Sequence, residues 1–261
     1  MIASMTGRWL CLIALAPMLV PRELPSAPEL VNRVLELRRG ASIRARGRMT
    51  YTDAGEHRKV FQISVLQKRL GEKVNLLWSV TDPPEARMRI LAEIPLQGEP
   101  AVWFASAAKG EPVALPPQRW SAPILGSHLT IEDLVDDYFS WPSQVVTAEE
   151  PAGGKMSYVI RSEPAAQRFS SFASIVSGLD EETLVPMRIL KHPRGAGAPK
   201  EIVCRGVRQS GRQWIASNIE VRIPGSPGST RIVFTGGTET ARIRDSEVDP
   251  KVVFGAGADG R

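Results

Sequence analysis

A chain of 261 residues that is 43% hydrophobic has room for one large domain, and all-β folds of this size stay undivided. Its net charge of +5 is scattered along the chain without the interleaved aromatic residues of a nucleic-acid platform, which argues against nucleic acid as a partner. Two cysteines are too few for a disulfide framework.

Residues 1–27 read as a signal peptide. Arg8 precedes Trp9 to Val20, an apolar run of roughly a dozen residues, leader length and short of the ~20 that a spanning helix needs. The expectation is an exported, periplasmic protein, with an uncleaved anchor as the other reading. Cys11 lies in this run, outside any lipobox context, which leaves Cys204 as a small buried strand residue.

Residues 28–254 read as one domain. Pro28 to Arg39 carries Leu30, Val31, Val34, Leu35 and Leu37 at near-helical spacing and ends at Gly40, a natural C-cap. Strands follow with period two: Ser42 to Thr52, then faces made of Phe61, Ile63 and Val65, of Val74, Leu76, Trp78 and Val80, and of Met88, Ile90, Ala92 and Ile94. Ala101 to Ala105 makes a fifth, and the turns between them are short, which implies an antiparallel meander. On the first strand Arg44, Arg46 and Arg48 alternate, a solvated sheet face or a docking surface for an acidic partner.

Residues 109–125 are Pro-rich and form a long loop. The sequence then predicts a helix from about Thr130 to Trp141, with Thr130 as N-cap and Asp133 completing a capping-box variant. Ile131, Leu134, Val135 and Tyr138 recur at i, i+3, i+4 and i+7, and Glu132, Asp133, Asp136 and Asp137 are expected mostly on the opposite, exposed face. Further strands are expected at 145–149, 155–161, 171–179, 185–192, 200–208, 212–223 and 230–238, with fraying from Asp249 and a flexible tail at 255–261. The fold class is mainly β with helices (α+β): roughly a dozen antiparallel strands, curled into a half-open barrel around a helical lid or plug.

No catalytic residues, cofactor or metal are expected. His57, His128 and His192 stand in no ligand spacing, there is no Gly-x-Ser-x-Gly elbow or Walker loop, and Gly255 to Gly260 matches a dinucleotide fingerprint with no helix behind it.

Three stretches carry a family resemblance. Gly126-Ser127-His128-Leu129-Thr130-Ile131-Glu132-Asp133-Leu134, the strand, acidic turn and returning strand from Ser174 to Ile189, and the hairpin strand Gly211 to Val221 resemble the LolA-like outer-membrane lipoprotein-sorting family of the LolA/LolB superfamily, in order and spacing. His128 and Leu129 stand where that family usually has Asp and Phe. The resemblance implies a curved sheet over helices, an apolar cavity for acyl chains and no chemistry. On that reading Ile63, Val65, Trp78, Met88, Ile90 and Trp103 line the cavity, although a plain core would use Trp78, Met88, Ile90 and Trp103 equally, and Ile131, Leu134, Val135 and Tyr138 form a lid that swings out when a chain enters. The expected partners are lipid or lipoprotein acyl chains, with an inner- or outer-membrane protein for delivery. The alternative is a non-enzymatic sensor or transporter accessory that docks proteins through the Arg44, Arg46 and Arg48 face.

Overall fold

A computed structural model describes residues 24–255 except 41, 109, 153–154, 211–212 and 236–241, so the expected leader, up to residue 23, and the tail from 256 lie outside the described residues. Helix α1 spans Ala27–Arg39; the Ser26 side chain accepts from the Glu29 amide, and Gly40 ends the helix, as its sequence predicts. The first half of the chain then forms β1 (Ile43–Thr52), β2 (Arg58–Leu70), β3 (Lys73–Asp82), β4 (Met88–Pro95), β5 (Ala101–Ser106) and the two-residue β6 (Val113–Ala114). After α2 (Ile131–Val135) the second half forms β7 (Ser143–Ala152), β8 (Lys155–Glu163), β9 (Phe172–Asp180), β10 (Pro186–Pro193), β11 (Lys200–Ser210), β12 (Gln213–Arg222) and β13 (Ser229–Phe234), then α3 (Pro250–Phe254).

The thirteen strands among the described residues join one antiparallel sheet in the order β6-β5-β4-β3-β2-β1-β13-β12-β11-β10-β9-β8-β7. Each half pairs only with its own sequence neighbours, and the halves meet where β1 pairs with β13, Met49 opposite Ile232. At this seam Gly47 is required: a Cβ there would lie 2.5 Å from the Val233 carbonyl oxygen.

The sheet must curl. α2 touches β4 on one side and sends Asp133 to Lys191 of β10 and Lys200 of β11 on the other. β4 and β10 stand seven strand spacings apart, about 33 Å in a flat sheet. A five-residue helix is only about 7.5 Å long. The inner faces of both halves accordingly share one apolar cluster with α1 and the segment 120–141, including Leu30, Trp78, Ile131, Phe139, Ile175 and Val221. A smaller cluster forms on the outer face, where Leu77 and Leu91 meet Ile243 and Val248 of the C-terminal segment. This segment does not begin to fray at Asp249: that carboxylate accepts from the Lys251 amide and caps α3.

The central helix differs from its sequence pattern. Its start is as expected, with Thr130 as N-cap and a reciprocal capping box to Asp133, but it ends at Val135. Asp136 is already extended, and a 3-10 turn at Tyr138–Ser140 follows. Asp is a weak helix former, and leaving the helix lets Tyr138, Phe139 and Trp141 all turn into the core.

Candidate functional site

The expected cavity face is where the period of two puts it, but it is full. Ile63, Trp78, Met88 and Ile90 are buried in the main cluster, with Val65 half-buried against it. The space they face is occupied by Trp120, Ile124, Leu129 and Ile131, with a void of about 190 Å³ beside Met88, Phe104 and Leu125. Trp103 is on the other face of the sheet, opposite Leu91, in the small outer cluster. Of the lid residues Ile131, Val135 and Tyr138 are buried and Leu134 is half-buried.

A larger cavity, about 290 Å³, opens in the other half of the molecule. Its walls are Val34 and Leu37 of α1, Ile189 of β10, Ile202 and Cys204 of β11, and Ile215 and Ile219 of β12. Burial pushes the Cys204 thiol up to about 12, so it is an apolar wall residue and not a nucleophile. The rim is marked by two exposed apolar side chains, Leu37 and Trp214. Tyr138 is the one expected site residue that lines this cavity, and its hydroxyl accepts from Ser177 Oγ at 3.1 Å.

The floor of the cavity overturns the expected exposure of the acidic residues. Asp133 bridges two buried lysines, Oδ1 to Lys191 Nζ at 2.9 Å and Oδ2 to Lys200 Nζ at 2.7 Å. Its own burial works to raise its carboxyl, and the two ammonium groups overcome that and hold it well below the usual carboxylate range. Lys191 is 2% exposed; burial works to lower it, and Asp133 and Asp136 hold it above its ordinary value. Glu132, also buried, accepts from Ser170 Oγ at 2.8 Å, from the Ser171 amide at 2.9 Å and from Ser171 Oγ. Asp137 accepts from Arg39 Nη2 at 2.8 Å. Asp133 Oδ1 and Asp136 Oδ2 are both buried without a hydrogen-bond partner, but Oδ1 has its ion pair with Lys191 whereas Oδ2 has none, and burial foremost, then Glu132, push the Asp136 carboxyl to about 7 against the pull of Lys191.

Sequence reasoning missed the two lysines, although the signal was present. Lys191 shares the inward register of Ile189, and Lys200 that of Ile202 and Cys204, so each is a cation on the apolar side of its strand. Such positions demand an acidic partner.

The helix-anchoring contacts extend to His128, whose backbone amide donates to Thr230 Oγ1 at 2.9 Å; burial first, and Lys200 second, lower its imidazole. On the outer face Arg44 is paired with Glu247 at 2.8 Å, while Arg46 and Arg48 are exposed. A groove of about 880 Å³ runs nearby, lined by Arg87, Arg89, Arg244, Val253 and Phe254, and none of the buried groups without a partner faces it. Among the described residues no cluster of three His, Cys, Asp or Glu suits a metal ion, and no helix is long and apolar enough to cross a membrane.

Residues 72–246 match a family model whose description is "Uncharacterized protein". No curated protein matches the sequence. Three solved structures are similar in fold. An outer membrane lipoprotein-sorting protein domain from Vibrio parahaemolyticus is 16% identical, with a TM-score of 0.77 over 86% of this chain and 97% of that one. A DUF1329 family protein from Desulfovibrio piger is 14% identical, with a TM-score of 0.77 over 85% and 95%. A LolA superfamily protein from Nitrosomonas europaea is 14% identical, with a TM-score of 0.66 over 87% and 98%. The resemblance read from residues 126–134, 174–189 and 211–221 is thus borne out at the level of fold.

Proposed function

The chain belongs to the family of uncharacterised proteins matched over residues 72–246 and has the LolA-like fold, and on that premise we propose that it is an exported, periplasmic carrier that shields an acyl chain of a lipid or lipoprotein. The observation that carries this reading is the 290 Å³ cavity, walled by aliphatic side chains and rimmed by the exposed Leu37 and Trp214. Each methylene buried there contributes ~0.8 kcal/mol, enough for useful affinity after the costs of association. Solved proteins of the same fold include one described as lipoprotein-sorting, and the apolar stretch at residues 9–20 fits export.

The chain enters between α1 and the β11–β12 hairpin, without the central helix swinging out. That helix is held by Asp133 to Lys191 and Lys200, and by Glu132 to Ser170 and Ser171. Removing one partner of such a buried pair costs about 3–5 kcal/mol, too much for a lid that must open at each exchange. The function is binding without chemistry, since Glu132 and Asp133 are committed to fixing the helix.

The test is native mass spectrometry with lipid extraction on protein exported by a Gram-negative host. Acyl-chain species are expected to co-purify and to be lost when Ile202→Asp places a charge in the wall, while Trp214→Ala weakens retention about fivefold with little loss of stability. A lipid-free protein that also refuses added lipids would overturn the carrier and favour protein docking through the exposed Arg46 and Arg48 face.

A further inference from the structure

The polarity of the cavity runs against its depth. Leu37 and Trp214 at the rim are apolar and 43% and 45% exposed, whereas the floor is made of the buried Asp133 side chain, Asp136 with its buried Oδ2, and the buried Lys191. Two of these three are satisfied within the protein. Asp133 holds both lysines, and Lys191 lies over the rings of Phe172 and Tyr138, 5.0 and 6.0 Å from their centroids. Asp136 lines the same space, and its Oδ2, buried and with neither a hydrogen bond nor an ion pair, needs a small rotation of the side chain to meet a hydrogen-bond donor on a ligand.

We propose that the cavity takes a single-chain amphiphile head first, its small uncharged hydroxyl or amide head donating to Asp136 Oδ2 and its chain lying along Ile189, Ile202 and Ile219 towards Trp214. This rests on the carrier reading and narrows its ligand.

The charges around the floor select the head. A cationic head would face the ammonium group of Lys191. An anionic head brings no proton for Oδ2 and would face Asp133 and Asp136, while Arg38, the other cation that lines the cavity, is already paired with Asp137. A neutral donor meets neither penalty. Volume selects it too: about 290 Å³ lies at the small end of the roughly 300–1,000 Å³ of ligand pockets, so a head as large as phosphocholine does not reach the floor.

The two probes that separate head from chain are 1-decanol and decyl methyl ether, alike except that the ether has no proton to give. Calorimetric titration of the exported protein at pH 8.5, where Asp136 is ionised and only accepts, is expected to give about tenfold tighter binding of the alcohol. The ratio is expected to collapse to within about twofold in Asp136→Leu and to persist in Asp136→Asn, whose amide oxygen still accepts. Equal affinities for the two probes in the unaltered protein would overturn the head anchor and leave the carrier standing. If neither probe binds, the carrier reading falls and this inference with it.

Discussion

The two halves of the inner sheet face make opposite use of similar side chains. In the half built from β1 to β5, Trp78, Met88 and Ile90 close on Trp120, Ile124 and Ile131 until little space is left. In the half built from β9 to β12, Ile189, Ile202 and Ile219 face a space that nothing fills, and its floor carries the charges. The segment 115–135 makes this difference by docking on the first half, which leaves α1 and a row of aromatics to cover the second half incompletely. An apolar strand face is therefore no sign of a cavity; what decides is which covering segment lies on it.

The largest expected effect comes from the tie between the halves. Asp133→Ala leaves Lys191 and Lys200 buried without their partner and is expected to lose about 3–5 kcal/mol in urea unfolding. Because the Asp133 carboxyl is lower in the fold than its unfolded 3.8, its contribution is present above about pH 4 and lost as pH falls below it. A second pair of variants sharpens the contrast directly. Ile90→Ala, in the filled half, is expected to cost about 2–5 kcal/mol, and Ile219→Ala, beside space already empty, about 1 kcal/mol; equal losses would mean that the cavity collapses in solution.

Asp136→Asn gives a smaller effect with a sign of its own. The folded carboxyl is raised to about 7 from 3.8, so the contribution of this group to stability is fully present below about pH 4 and is lost as pH rises to about 7. The variant is expected to show a flat profile over that window and to be the more stable protein above pH 7, by at most a few kcal/mol, in thermal melts across pH 4–9.

Much of the sheet was legible in the sequence because side chains on a strand alternate. Met88, Ile90, Ala92 and Ile94 fall on one face as read, and the N-cap at Thr130 with its capping box was written locally in Thr130 and Asp133. Trp103 was misplaced because residues 101–105 are all apolar, so alternation there carries no information about face. The four carboxylates of the central segment looked solvated because their partners are remote in sequence: Lys191 and Lys200 for Asp133, Ser170 and Ser171 for Glu132, Arg39 for Asp137. The site of the cavity was beyond the sequence, since it depends on how one irregular segment lies across strands that are distant in the chain.

The strand order also bears on how this chain reaches its native state. β6 and β7 are the two edges of the sheet yet follow each other in the chain, and every strand pair except β1 with β13 joins sequence neighbours. Hairpins of that kind form in about 1–10 μs, so each half can zip along itself quickly. The β1–β13 pairing is different: it closes nearly the whole domain into one loop and must fit Gly47 against Val233 without room for a methyl group. Folding is thus expected to wait on a single long-range closure, with amide protection in β1 and β13 arriving after that in the hairpins on either side.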